Sequence, residues 1–437
     1  MKTLKFNNEL KNFYILQLGQ FISQFGSKMT SFGLILWAYE HSGSVLSISA
    51  LTVCTLIPSV LLSFFAGSFI DGWNKKKIML IANLIATFFS VITLCLILLN
   101  RLDIVYLYII NFVLGMVDAF EDPASNVIIS LIVPKDYYTK ISGIRSFVAA
   151  FNTTFSPILC TAFYALLGLN LIIFFDLCSF IFAFICLLFF VHVPNDKLKK
   201  QLNKDKFLSN CKQGFVYLKN KKGILHLILF MSFVNLIASI ESCNLTPMIL
   251  SRNGNNKYEL GMVSSMVGIA GIIGSIIVTI MKEPKKRVPI IINSMILSFL
   301  LCDIPLGMGH KYYTWMLAIF LGYFLVPFLT ANVEYLMRTK IPLEMQGRVF
   351  AARNALQYSS IPIGYILGGI LTDKIFKPFM DKPSSIQNFF THIVGNAKGD
   401  SNGLVFILIG IVGFIGCYLF KFDSHLKSLD DKVYGAK

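Results

Sequence analysis

The sequence predicts an all-α membrane protein with twelve transmembrane helices in two parallel six-helix repeats. Three observations carry that reading. Charged residues make up only 14% of the 437 residues against 55% hydrophobic ones, whereas a soluble domain carries roughly a quarter charged residues. The apolar residues are gathered in blocks such as 78–99, 171–192 and 404–420, each close to the ~20 residues that cross a bilayer as a helix. Finally, Pro134, Asp136, Lys140 and Arg145 line up with Pro342, Glu344, Arg348 and Arg353 at a constant offset of 208 (134 to 342, 145 to 353).

Taken in order, spans are expected at 13–39, 45–70, 78–99, 104–132, 140–168, 170–192, 222–250, 259–281, 288–309, 312–340, 347–374 and 402–421. The first follows Lys2, Lys5 and Lys11 and is far longer than the apolar core of a removable signal peptide, so it reads as a span. The first six spans form an N-terminal bundle over 1–193. A basic linker over 194–222 holds nine lysines, and a C-terminal bundle fills 223–437. In the linker, Phe207, Leu208, Cys211, Phe215 and Leu218 fit an apolar stripe on a helix at the membrane surface. The loop 375–401 carries Ile386, Phe389, Phe390, Ile393 and Val394 at i, i+3, i+4, i+7 and i+8 after Pro383, a second amphipathic helix.

An even number of spans puts both termini on one side. Of the lysines and arginines in the loops, tails and span ends, 28 fall on the side of the termini and eight on the other. The positive-inside rule therefore places both termini in the cytoplasm, and the protein in a cell membrane as a multi-pass chain. The same asymmetry accounts for the net charge of +16 without a nucleic-acid partner; the lipid bilayer is the expected neighbour. Both repeat motifs fall at cytoplasmic junctions, between the fourth and fifth span of each half. The repeats are thus parallel, the arrangement of transporters that bind substrate between two six-helix bundles.

Several runs resemble a known family. Residues 22–27 (Ile-Ser-Gln-Phe-Gly-Ser), with Thr30, Trp37 and Tyr39, resemble the opening span of major facilitator proteins of the macrolide-efflux and siderophore-exporter type. The run Gly67-Ser-Phe-Ile-Asp71-Gly-Trp-Asn-Lys75-Lys76-Lys77 is similar to the superfamily's loop signature. Pro342-x-Glu344-x-x-Gly347-Arg348-Val349-Phe350 resembles a further hallmark of that branch. Three positions depart from the pattern: Gly72 stands where the signature has its first Arg, Leu114 where proton-linked members often carry Arg, and Asn152 where the antiporter motif has a second Gly. The resemblance implies the major facilitator fold, a small-molecule substrate, alternating access and a monomer. It also implies a gating role for Gly67, Asp71, Lys75, Lys76, Lys77, Arg145, Glu344, Arg348 and Arg353. In that role Asp71 takes hydrogen bonds from helix amides or from a basic residue of the other half, with Arg145 and Arg353 as candidate partners.

Ionisable side chains within spans are costly and functional by default. Here they are Lys28, Asp118, Glu121, Asp122, Asp176, Glu241, Asp303 and Glu334. On span one Gln17, Gln20, Gln24, Ser27, Lys28 and Ser31 share one helical face, and on span four Asn111, Gly115, Asp118, Asp122 and Ser125 do the same. In the inferred fold both spans border the central cavity, so Lys28 is expected to pair with Asp118 or Glu121. One lysine against three carboxylates leaves excess negative charge, suited to proton exchange or a cationic substrate. Ser232, Asn235, Ser239, Ser242 and Thr246 mark a second cavity face on span seven, with Glu241 beside it. Asp176 is expected to be a packing hydrogen bonder, and Glu334 with Arg338 a local i, i+4 pair. The substrate and proton-relay candidates are therefore Lys28, Asp118, Glu121, Asp122, Gln24, Asn235 and Glu241.

No phosphate-binding loop, zinc-protease run or nucleophile elbow occurs in the sequence, and no metal, cofactor or enzymatic chemistry is expected. The expected function is proton-coupled export of an amphipathic small molecule such as a drug, macrolide or siderophore. A lipid or lipid-linked metabolite flippase and a non-transporting sensor stand as alternatives.

Overall fold

A computed structural model describes residues 2–133, 138–193, 214–395 and 399–431, apart from some side chains within the helices. The described residues are helical with no strand, and they divide into two compact units: Met1–Gly43 with Ala50–Asn203, and Ser44–Ser49 with Lys204–Lys437.

The first unit holds α1 (Lys2–Ser42), most of α2 (Val45–Gly72), α3 (Lys75–Leu98), α4 (Ile104–Ile132) and α5 (Tyr138–Ile185), which runs on through a π-helical turn at Cys186–Phe190. Side chains cap the helix starts: Asn74 accepts from the Lys77 amide and Asp103 from the Val105 amide, satisfying donors that have no partner inside the helix. α5 is two limbs joined at Gly168, whose φ of +73° and ψ of −171° leave the helical region. Only glycine adopts that conformation readily, which is why the apolar run 140–192 makes two spans here. α1 packs along both limbs of α5, and α3 packs against α4 and α5. Phe13, Leu16, Met79, Ile128, Ile141 and Leu187 form the core where these helices meet. α4 approaches α2 closely at Gly115, where a Cβ would lie 2.1 Å from the Thr55 carbonyl oxygen.

The second unit holds the start of α2, a helix over 214–220 (α6), α7 (Lys222–Arg252), α8 (Lys257–Ile280), α9 (Val288–Leu301), α10 (Asp303–Met308), α11 (Tyr312–Lys340) and α12 (Leu343–Ile370). A π-helical turn at Leu371–Phe376 follows, then α13 (Lys377–Met380), α14 (Ser385–Val394), α15 (Asp400–Phe420) and α16 (Ser424–Lys427). α7 packs on α12, α11 on α8 and α9, and α15 on α7, α9 and α10. Ser44 Oγ and the Leu46 amide donate to Asp373 Oδ2 at 2.7 and 2.9 Å, which fixes the first turn of α2 to this unit.

Nine helices among the described residues are long and apolar enough to cross a membrane, and one of them, Ile144–Phe190, is the pair of limbs that turns at Gly168. α1 and α12 fall outside that set because they carry polar residues along their length. Counting the two limbs separately and adding α1 and α12 gives twelve spans. The expected helix after Pro383 is α14, capped by Ser384 at the Gln387 amide. Ile386 and Phe389 stand exposed on it while Val394 is fully buried, as suits a helix at the membrane surface. Phe207, Leu208 and Cys211 lie outside the described residues, and of that stripe Leu218 is buried and Phe215 exposed on α6.

Candidate transport site

The polar face of α1 divides. Gln17 is buried, and Gln20 turns inward to exchange hydrogen bonds with Ser125 of α4 at 2.7 and 3.1 Å. Gln24, Lys28 and Ser31 are exposed. α4 divides in the same way: Ser125 is buried, while Asp118 and Asp122 are exposed. The surrounding helices still strip part of the hydration from both carboxyls, a cost that nearby cations offset.

Lys28 acts electrostatically on both Asp118 and Asp122, and Arg145 on Asp122. Among the described residues the Lys28 ammonium has no ion-pair contact with a carboxylate, so the expected pairing with Asp118 or Glu121 is not found. Glu121 lines a small, partly open cavity of about 20 Å³ together with Gln20, Ser23, Gln24 and Asn83. That space holds about one water molecule. The three carboxylates of α4 thus sit in two settings, two on an open face and one in a polar pocket.

Arg145 donates to Asn126 at 2.6 Å, and Arg353 donates to Glu334 at 3.3 Å and to Gln357 at 3.0 Å. Arg145 and Arg353 are repeat equivalents, and so are Asn126 and Glu334 (126 plus 208 is 334). Each half therefore ties its fifth span to its fourth by the same arginine contact. Glu334 also holds Arg338 at 2.8 Å, the expected local pair.

Among the other loop-signature residues, Lys76 Nζ donates to the Leu188 and Val191 carbonyls at 3.0 and 2.8 Å, closing the exposed end of the sixth span. Lys75 is buried, and the Lys77 amide is capped by Asn74. Arg348 reaches Met345 Sδ at 3.7 Å. The side chains of Gly67, Asp71 and Glu344 lie outside the described residues. Asp176 accepts from Ser27 at 3.4 Å and from Ser179, and so ties α1 to the second limb of α5.

The polar face of α7 divides: Ser242 is exposed, Ser239 and Thr246 are buried, and Ser232 and Asn235 turn to α12. Ser232 Oγ donates to the Leu356 carbonyl at 2.8 Å and Asn235 Nδ2 to the Gln357 carbonyl at 3.3 Å. Small polar residues at this spacing serve helix packing as readily as a pore, and here they dock α7 on α12. Glu241 is buried, and Cys302 Sγ donates to it at 3.8 Å. Its neighbour Asp303 was visible as an ionisable span residue, but nothing in the periodicity joined the two. The signal was Pro305, which denies the Leu301 carbonyl its helical donor and helps to separate α9 from α10 at Cys302.

Residues 16–365 match the family model described as Major Facilitator Superfamily. The chain belongs to the Major Facilitator Superfamily. It is therefore a multi-pass membrane transporter. It is 26% identical over 383 residues to macrolide efflux protein A of Streptococcus pyogenes, covering 85% of this chain and 92% of that one. It is 21% identical over 346 residues to the multidrug efflux pump Tap of Mycolicibacterium fortuitum, covering 76% and 82%. Among solved structures, a mutant form of the nucleoside transporter NupG superposes with a TM-score of 0.72 at 14% identity, over 94% of this chain and 99% of that one. A bacterial homologue of the iron transporter ferroportin in its inward-facing state does so with a TM-score of 0.64 at 15% identity, over 93% and 98%. The all-α twelve-span fold and the superfamily resemblance read from the sequence thus agree with the structure.

Proposed function

We propose that this superfamily transporter exports an amphipathic small molecule of the macrolide, drug or siderophore kind, driven by protons returning through alternating access. One observation carries the reading: Asp118 and Asp122 stand on an exposed mid-span face of α4 within electrostatic range of Lys28 and Arg145. Carboxylates with mobile counter-charges can exchange a proton for a cationic substrate without ever being left uncompensated. The efflux function of the Streptococcus and Mycolicibacterium relatives supports the direction. The chain works as a monomer with both termini in the cytoplasm, the orientation supported by its charge asymmetry.

The test is efflux of preloaded macrolides, dyes and siderophores from a pump-deficient host, with and without a protonophore. Expected is protonophore-sensitive efflux of at least one class, abolished by Asp118→Asn. Efflux that ignores both the protonophore and the substitution would overturn the proton-coupled reading. A second reading, a lipid flippase, is favoured by one feature. The first unit has an apolar groove of about 370 Å³ lined by Trp73, Ile81, Ile85, Met116 and Phe120. Transfer of a labelled lipid between leaflets of proteoliposomes, with no efflux of the small molecules, would select it.

A further inference from the structure

The second unit contains a pair of acids that the transport site above does not use. α9 ends at Leu301 and α10 begins at Asp303, with Cys302 off the helical line between them at φ −98° and ψ −69°. Asp303 is 0% exposed, and neither carboxylate oxygen has a hydrogen-bond partner among the described residues. The charged group it faces is Glu241 of α7, itself 5% exposed. The Cys302 thiol donates to Glu241 Oε1 at 3.8 Å, and the Tyr323 hydroxyl of α11 is in hydrogen-bonding reach of the same carboxylate.

The helices close tightly on this point. A Cβ on Gly322 of α11 would lie 2.5 Å from Cys302 Cβ, and one on Gly410 of α15 would lie 3.0 Å from Asp303 Cβ. Among the described residues no lysine, arginine or histidine acts on either acid; the titratable groups facing them are Cys302 and Tyr323. Two buried carboxylates without a cation are untenable as a dianion. The charge must be cancelled by protons or by a bound ion. Sodium would need several more oxygen ligands, and the group beside Glu241 is a thiol.

We propose that Asp303 and Glu241 form a second proton-carrying site, within the second unit, that loads and releases one proton per transport cycle. Loaded, both carboxyls are protonated and neutral. Release of one proton to water leaves a monoanion in which Glu241 is ionised and Asp303 keeps its proton, with the Tyr323 and Cys302 hydrogens donated to the Glu241 carboxylate. Reloading takes one proton back from water, so charge and atoms balance over the cycle.

The inference rests on the proton-coupled reading, and the experiment separates the two. The full-length chain is reconstituted in vesicles with radiolabelled erythromycin as the probe. Two modes are measured: accumulation driven by a proton gradient, and counterflow, which needs no net proton movement. Wild type is expected to show both. Asp303→Asn and Glu241→Gln are each expected to keep counterflow, which certifies folding, and to lose gradient-driven accumulation. Infrared difference spectra of the purified chain in H₂O and D₂O should show a protonated-carboxyl band that Asp303→Asn removes. Gradient-driven accumulation in Asp303→Asn, or a band unchanged by it, would overturn this site alone. Accumulation in wild type that follows sodium and ignores protons would overturn the site and the proton-coupled reading together.

Discussion

Arg252 shows at the residue scale what a charge requires inside the second unit. Its side chain and that of Asp400 are each 1% exposed, and Nε donates to Asp400 Oδ1 at 2.7 Å. Nη1 donates to the carbonyls of Gly307 and Gly309, both at 2.9 Å, and Nη2 to that of Val394 at 3.1 Å. Every edge of the guanidinium is used, so removing the carboxylate strands a buried cation. Asp400→Asn is expected to cost about 3–5 kcal/mol, read as a lower midpoint of thermal unfolding in detergent. The sequence did not announce this pair, because both residues sit at span ends where charges are ordinary and 148 residues separate them. The charges on α1 and α4 were legible for the opposite reason: helical period alone put Lys28 with Gln24 and Asp118 with Asp122. What period could not supply was the tilt of each helix. Tilt decided that Glu121 lines a small cavity and Asn235 faces the backbone of α12.

At the scale of the element, Gly168 and the C-terminal turn carry two expectations. Gly168 stands at φ +73° and ψ −171° with nothing within 4 Å of a built Cβ. Gly168→Ala is therefore strained by its backbone and not by its neighbours, at roughly 1–3 kcal/mol, measurable as reduced thermal stability with no loss of substrate selectivity. The span boundary at this residue was readable from hydropathy, whereas the π-helical turns at Cys186–Phe190 and Leu371–Phe376 were not, since periodicity does not separate π from α. α16 is held by Asp423, which accepts from His226 at 2.5 Å and from the His425 and Leu426 amides at 2.8 and 3.1 Å. Partial burial pushes its carboxyl up, but the His226 hydrogen bond, that residue's charge and the two amides outweigh it, so the group lies below the ordinary value of 3.8. A carboxyl depressed in the folded state adds stability above its unfolded value and loses it as pH falls through the folded one. Asp423→Asn should therefore unfold more easily than wild type at neutral pH, with the difference vanishing as the pH is taken well below 3.8.

For the whole molecule the decisive quantity is where the lysines and arginines lie. In the loops and at the span ends 28 fall on the side of the termini, the bias on which the proposed cytoplasmic orientation rests. A green fluorescent protein fused after Lys437 should fluoresce and an alkaline phosphatase fused there should be inactive; the reverse pattern would invert the topology. Hydropathy, charge bias and the offset of 208 were enough to predict the fold, because each is a property of the membrane or of a duplicated chain rather than of side-chain packing. The pairing of Glu241 with Asp303 depends on packing alone and could not be read that way.

The repeated arginine contact has a consequence for how the two halves have diverged. In the second half the acceptor is an acid, Glu334, which Arg353 shares with Arg338, so its charge is partly offset where it sits. In the first half the acceptor is the amide Asn126, and the positive charge of Arg145 stays uncancelled by that bond and extends to Asp122. The same clasp is thus an ion pair in one copy and, in the other, an amide contact whose arginine charge reaches the proposed transport face. Placing an acid there with Asn126→Glu would turn the amide contact into an ion pair and withdraw its field from Asp122.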